Sequence, residues 1–261
     1  MTALIYQWSP WVLPIFMLVV LTLAIELPYR FARPLLAGAA KHLDAFNAAQ
    51  AGLLTLASFV LGLSFAQAQD RFDGRRALVV REANAIGTTW LRADQLPPPQ
   101  AARFRQILTQ YTAARLNAYQ TQYDPLFVQR FVDQSDRDQN ELWSLASTAL
   151  HANRGNLGLS LLMQTLNDTI DVSAEQLQAL TSHVPTAVVD LTLLLVTLGA
   201  LSLGLRFAID GSRPASLCAV YVVAFVVVIS MMVDYDRPQR GFIKVNLNPL
   251  KVQLATMQRA E

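Results

Sequence analysis

Apolar positions along the chain gather into two pairs of long runs, separated by a stretch of mixed pattern. The first run spans about Trp8 to Leu27, the second Ala48 to Ala68, the third Thr186 to Ile209 and the fourth Pro214 to Val233. Each is near the ~20 residues a helix needs to cross about 30 Å of hydrocarbon. A buried core can imitate one such run, but four of them with charged flanks predict four transmembrane helices. Gly52, Ser58, Gly62 and Ser64 in the second run, and Gly199 and Gly204 in the third, predict close approach between helices.

From Gln69 to Pro185 the pattern changes to helical periodicity with polar faces. Pro97-Pro98-Pro99 predicts a break, because proline lacks an amide proton and restricts the residue before it. Phe104, Ile107, Leu108, Tyr111 and Leu116 then predict a helix over about Gln100 to Tyr119. Asp124-Pro125 reads as an N-cap with an N1 proline, and Ser135-Asp136-Arg137-Asp138 as a capping box opening another helix. Asn153-Arg154-Gly155 is a predicted turn, followed by a helix over about Leu157 to Thr181. Arg75 to Val80 is the nearest approach to a strand, and it is too short to outweigh its helical surroundings.

The expected fold class is therefore all-α, an integral membrane protein with a helical cytosolic domain inserted between the second and third transmembrane helices. The expected boundaries are 1–68 for the first transmembrane pair, 69–185 for the cytosolic domain, 186–233 for the second pair and 234–261 for a cytosolic tail. Composition sharpens this. Only 15% of the 261 residues are charged, against roughly 25% in soluble domains, and mean hydropathy is +0.30. The formal net charge of +2, with basic residues interleaved among acids, argues against a nucleic-acid partner. Cys218 is the only cysteine, so neither a disulfide nor a thiolate metal site is expected within one chain.

Orientation follows from basic residues near the membrane ends. Arg71, Arg75, Arg76, Arg81, Arg237, Arg240 and Lys244 share one side, and Arg30, Arg33, Lys41, Arg206 and Arg213 the other. The excess places both termini and the central domain in the cytoplasm, with the protein in the inner membrane. Residues 1–9 carry no Lys or Arg and the first run ends in Glu26-Leu27-Pro28, so it is expected to remain as a membrane helix rather than a cleaved signal.

The chemistry concentrates in RFDGRRALVVREANAIGTTWLRADQLP at 71–97. At 100° per residue, Asp70, Gly74, Ala77, Arg81, Asn84, Thr88, Arg92 and Gln95 share one face and Phe72, Val79, Ala83, Ile86 and Trp90 the opposite one. Such a stripe is either a solvated face or the wall of a vestibule, in which Arg81, Asn84, Thr88 and Arg92 lend donors and positive potential to passing anions. Glu82, Asp73 and Asp94 are the acids placed to neutralise the arginines.

This segment resembles the signature of the bestrophin-like domain family, membrane proteins named for a distant similarity to bestrophins. Its EANAIGT core contains Glu82, Ala85 and Gly87, and Arg71 and Asp73 precede it. GLLTLASFVLGLSFAQAQ, LNDTIDVSAEQLQAL, HVPTAVVDLTLLL and the closing DYDRPQRGFIKVNLNPL carry the rest, the last with Asp234, Asp236, Arg237, Pro238 and Gly241. Bestrophins are pentameric anion channels with four membrane helices per subunit, so the resemblance implies a homo-oligomer, a pentamer foremost, passing chloride or other small anions. In bestrophins an apolar neck with four-residue spacing lines the pore on the second helix. Leu61 and Phe65 supply two such positions and Gln69 stands at the third, so Gly62, Leu63, Phe65 and Gln69 are expected at or near the constriction. Bestrophins also carry an acidic calcium clasp; Asp234 and Asp236 alone do not reproduce it.

Other chemistry is sparse. Asp133, Asp136, Asp138 and Glu141 lack the glycine and length of a calcium loop. Asp190, one turn into the third run, is a candidate ion-path charge. No nucleophile elbow, Walker loop or HExxH motif occurs, so neither enzymatic activity nor a cofactor or metal is expected. Membrane lipids are the remaining expected partner. The alternative to a channel is a membrane-anchored scaffold or sensor that binds a protein or lipid through its cytosolic helices.

Overall fold

A single helix carries the second apolar run and the signature as far as Arg92: α2, Leu43–Arg92, has 50 residues. At 1.5 Å per residue it is about 75 Å long, well beyond a hydrocarbon core. The computed structural model describes residues 9–36, 43–120, 125–237 and 241–260, and side chains except those of 120 and 125–128. The expected caps at Asp124, and Pro238 of the closing motif, lie outside the described residues. The other helices in chain order are α1 (Val12–Leu36), α3 (Pro98–Gln120), α4 (Pro125–Ala152), α5 (Leu157–Thr181), α6 (Thr186–Asp210), α7 (Ala215–Asp236) and α8 (Asn248–Ala260). Among the described residues there is no strand.

Among the described residues four helices are long and apolar enough to cross a membrane, and the apolar stretches of α1, α2, α6 and α7 supply them. Pro28 and Pro34 lie inside α1 without ending it, as neighbouring helices permit for membrane helices; the first helix thus outruns the expected end at Leu27. Pro97 does end the signature segment, through a short 3-10 turn at Ala93–Gln95. Pro98 and Pro99 then occupy the first turn of α3, where the missing amide proton costs nothing. The capping box expected at Ser135 is not a helix start. Ser135 and Asp138 lie inside α4 and are buried, because this stretch sits on the packed face of a longer amphipathic helix. The expected tail is not free either: α8 buries Leu250 and Met257 completely.

Two compact units divide the chain, 1–72 with 183–243 and 73–182 with 244–261. In the first, α1 packs on α6 and α7. Leu21, Ala57, Val196, Ala200, Ile229 and Met232 form much of its core, while Ile15, Phe59, Leu194 and Val220 are exposed. Gly204 is where α1 and α6 come closest: an added Cβ would stand 2.2 Å from the carbonyl oxygen of Ile25. Gly52 and Gly62, expected to serve close contact, face open space instead. Inside the unit the Ser64 and Thr192 hydroxyls meet at 3.1 Å, and each lies within reach of a carbonyl one turn back on its own helix; with one proton apiece, one hydroxyl donates to the other, which donates to its carbonyl.

In the second unit α3 packs on α4 and α8, and α4 on α5. Phe104, Leu108, Tyr111, Leu142, Leu162 and Leu166 are fully buried there. Asn156 caps α5, its Oδ1 accepting from the Gly158 and Leu159 amides at 2.8 and 3.3 Å. The preceding Gly155 has a φ of 100°, a left-handed conformation that glycine adopts without penalty.

Candidate functional site

The two faces of α2 separate as its sequence predicts. Val79, Ala83, Ile86 and Trp90 are buried, whereas Asp70, Gly74, Ala77, Arg81, Asn84, Thr88 and Gln95 are exposed and Arg92 is half-buried. In the apolar half Gly62, Leu63 and Gln69 are exposed. Phe65, the other residue expected near the constriction, is half-buried. Like Leu61 it turns toward the core of its own unit, with its ring edge-on to Tyr235 at 5.6 Å. Residues 57, 61, 64 and 68 are the buried register of this helix, and Phe65 stands beside it.

Arg81, Asn84, Ala85 and Thr88 line one side of a groove of about 420 Å3 in the second unit, and Thr165, Asp168, Asp171, Val172 and Glu175 of α5 line the other. Arg81 grips Glu175 through both guanidinium nitrogens, at 2.8 and 3.4 Å. Arg92 donates to the Leu161 carbonyl at 2.7 Å, and Thr88 to the Asn84 carbonyl at 2.9 Å. Three carboxylates thus face one guanidinium, and that guanidinium already holds one of them. The charge here is opposite to what the arginines of α2 alone imply, because α5 brings acids that sequence separation hides.

Glu82, one of the acids placed to neutralise the arginines of α2, is completely buried and pairs with an arginine of α3. Its Oε1 accepts from Arg115 Nε, and Arg115 Nη2 donates to Gln176 Oε1 at 2.5 Å. Burial is the largest single influence on Arg115 and opposes its charge, yet Glu82 together with the Tyr111 and Tyr119 phenols outweighs it, so the guanidinium stays protonated with its pKa raised. The Tyr111 phenol, completely buried nearby, has its pKa raised by burial against the opposing pull of Arg115. Arg115 and Gln176 were not singled out from the sequence. The signal was available: Arg115 follows Tyr111 by four residues on the packed face of α3, where an arginine demands a buried partner.

The closing motif folds around its carboxylates. Asp234 accepts the Phe242 and Ile243 amides at 3.1 and 2.8 Å, and Gly241 lies so close that an added Cβ would stand 2.0 Å from Asp234 Oδ1. Asp236 accepts the Val184 amide at 2.9 Å, with His183 Nδ1 3.6 Å from the same oxygen. Arg237 is buried and Arg71 half-buried, while Asp73 is exposed. A Cβ on Gly87 would meet the amide end of Gln253 from α8 at 2.8 Å. Asp190 is exposed on α6. Among the described residues no three His, Cys, Asp or Glu side chains group to hold a metal.

Four apolar helices joined by a polar helical unit define a multi-pass membrane protein. The described fold is that of bacterial bestrophin homologues. A crystal structure of the homologue from Klebsiella pneumoniae, a point variant, superposes with a TM-score of 0.66 at 17% identity, over 94% of this chain and 96% of that one. A second variant gives 0.64 at 19% identity, over 94% of each chain. A structure of the same homologue phased on zinc gives 0.62 at 15%, over 95% of each. The model of the Bestrophin-like domain matches residues 17–250, and the chain belongs to that family. No curated protein matches the sequence.

Proposed function

We propose that the protein is a homo-oligomeric ion channel of the inner membrane, five subunits around one axis, with the exposed face of α2 lining the path. One observation carries this reading: α2 runs unbroken from an apolar span into a polar stripe. Gly62, Leu63 and Gln69 would stand at the narrow part, beside Phe65, and Asn84 and Thr88 along the wider vestibule. Both termini and the second unit would be cytoplasmic. Transport of this kind needs a wet path and a field of one sign, and no chemical step.

The sign of the ion is where the residues and the resemblance pull apart. Bestrophin likeness implies anions. The groove beside the stripe, with Asp168, Asp171 and Glu175 against Arg81, favours cations, and we adopt that sign for this chain. The test is the reversal potential of purified full-length protein in planar bilayers under a potassium chloride gradient. A potential near the potassium equilibrium value is expected, moving toward the chloride value in a D168N/D171N double variant. A wild-type potential at the chloride value would restore the anion reading. Electrically silent bilayers at verified incorporation would leave the scaffold as the better description.

A further inference from the structure

A second groove, of about 300 Å3, runs between α1 and α7 in the first unit. Leu18, Ile25, Cys218, Ala219 and Val222 line it. Leu18 is 48% exposed, so the groove opens on the surface of apolar spanning helices, where an acyl chain is the available solvent. The helices are antiparallel, and their sequence order brings Glu26 of α1 and Arg213, just ahead of α7, to the same end.

That end is cationic. Glu26 is paired with both Arg30 and Arg213, and Arg33 and Arg213 each set a guanidinium within 6.0 Å of the Tyr29 ring. Two guanidiniums therefore share one carboxylate, a third lies on the adjacent Tyr29 ring, and Asp210 is paired with Arg206. A guanidinium has five N–H donors, so the pairing with Glu26 leaves donors free on Arg30 and Arg213. Their side chains are 71% and 36% exposed.

We propose that this groove binds an anionic glycerophospholipid, one acyl chain lying between α1 and α7 and the phosphate held by Arg30 and Arg213. The charge excess selects the head group, and the apolar lining selects the chain. The site stands or falls independently of ion conduction.

Native mass spectrometry of the full-length protein, in micelles doped with phosphatidylglycerol or phosphatidylcholine, tests it. Phosphatidylglycerol should be retained in preference. R30Q and R213Q should each weaken its retention by about five-fold, the effect of one basic side chain at an anionic lipid surface. A219W, which fills the groove, should weaken both lipids, and R103Q in the second unit should change neither. Equal retention of the two lipids by the wild type would overturn the proposal, as would undiminished retention by A219W or complete displacement by inorganic phosphate. A variant-free measurement is also available. Cys218 is the only thiol, and its reaction with an apolar maleimide should slow in phosphatidylglycerol micelles but not in phosphatidylcholine; equal rates would overturn the proposal.

Discussion

The two units solve opposite problems with the same secondary structure. In the first, the outside is apolar: Ile15, Phe59, Leu194 and Val220 are exposed, and the inside relies on close backbone approach at Gly204 and on hydroxyls that bond carbonyls of their own helices. In the second, Arg76, Asp94 and Glu175 are exposed, while the inside holds the Glu82–Arg115–Gln176 cluster. Lipid removes the hydrophobic gain from joining helices, so steric fit has to hold them. Water supplies that gain generously enough for the second unit to bury an ion pair, whose desolvation its Coulomb attraction must offset. Along the lipid-solvated spans the inside is specified by size, and the buried charges of the first unit, Asp234, Asp236 and Arg237, sit at the end of α7. Where a helix is solvated by water, charge can be placed inside as well.

The largest test of this contrast is on the ion pair. Arg115→Ala should destabilise the second unit by about 3–5 kcal/mol, because it leaves the Glu82 carboxylate buried without its partner. E82L/R115M, which removes both charges, should cost less than Arg115→Ala alone. Urea unfolding followed through Trp90 and Trp143 fluorescence measures both, and a double variant worse than the single would break the account.

The steric side is tested at two glycines of the first unit. Gly204→Ala pushes a methyl group into the Ile25 carbonyl, backbone that cannot step aside, and should cost about 1–3 kcal/mol. Gly62→Ala meets nothing within 4 Å and should instead be neutral or stabilising by about 0.5–1 kcal/mol, the ordinary gain of alanine in a helix. The separation should appear as opposite shifts in the midpoint of denaturation by sodium dodecyl sulfate.

The smallest effect is a pH slope. Burial raises the pKa of Asp138, the largest influence on it, while the Gln134 amide at 2.7 Å pulls the other way. A carboxyl with a raised folded pKa contributes stability below its unfolded value of about 4 and loses that contribution as pH climbs through the folded value. Asp138→Asn keeps an acceptor for Gln134 and removes the titration. It should therefore flatten the fall in stability from about pH 4 to neutrality, with equal or slightly greater stability at the upper end. A slope unchanged from the wild type would show that Asp138 is solvated as an ordinary surface carboxylate.

Much was legible along the chain itself. Thr186–Asp210 and Leu157–Thr181 follow the sequence-read helices within a residue, because apolar periodicity and the turn at Asn153-Arg154-Gly155 are local signals. The stripe of Arg81, Asn84 and Thr88 was legible for the same reason: a helical face is a property of one segment. The buried register of α2 at residues 57, 61, 64 and 68 was not, because it depends on which helices pack against it.

Sequence alone thus determined the number of apolar helices, the amphipathic face of the signature and the family, since spacing and composition within a segment carry all three. Only tertiary structure decided which charges meet. Glu82 finds Arg115 33 residues away, and Arg81 finds Glu175 94 residues away. An ion pair is an interaction across space, and a chain read in order shows the charges without showing the distance between them.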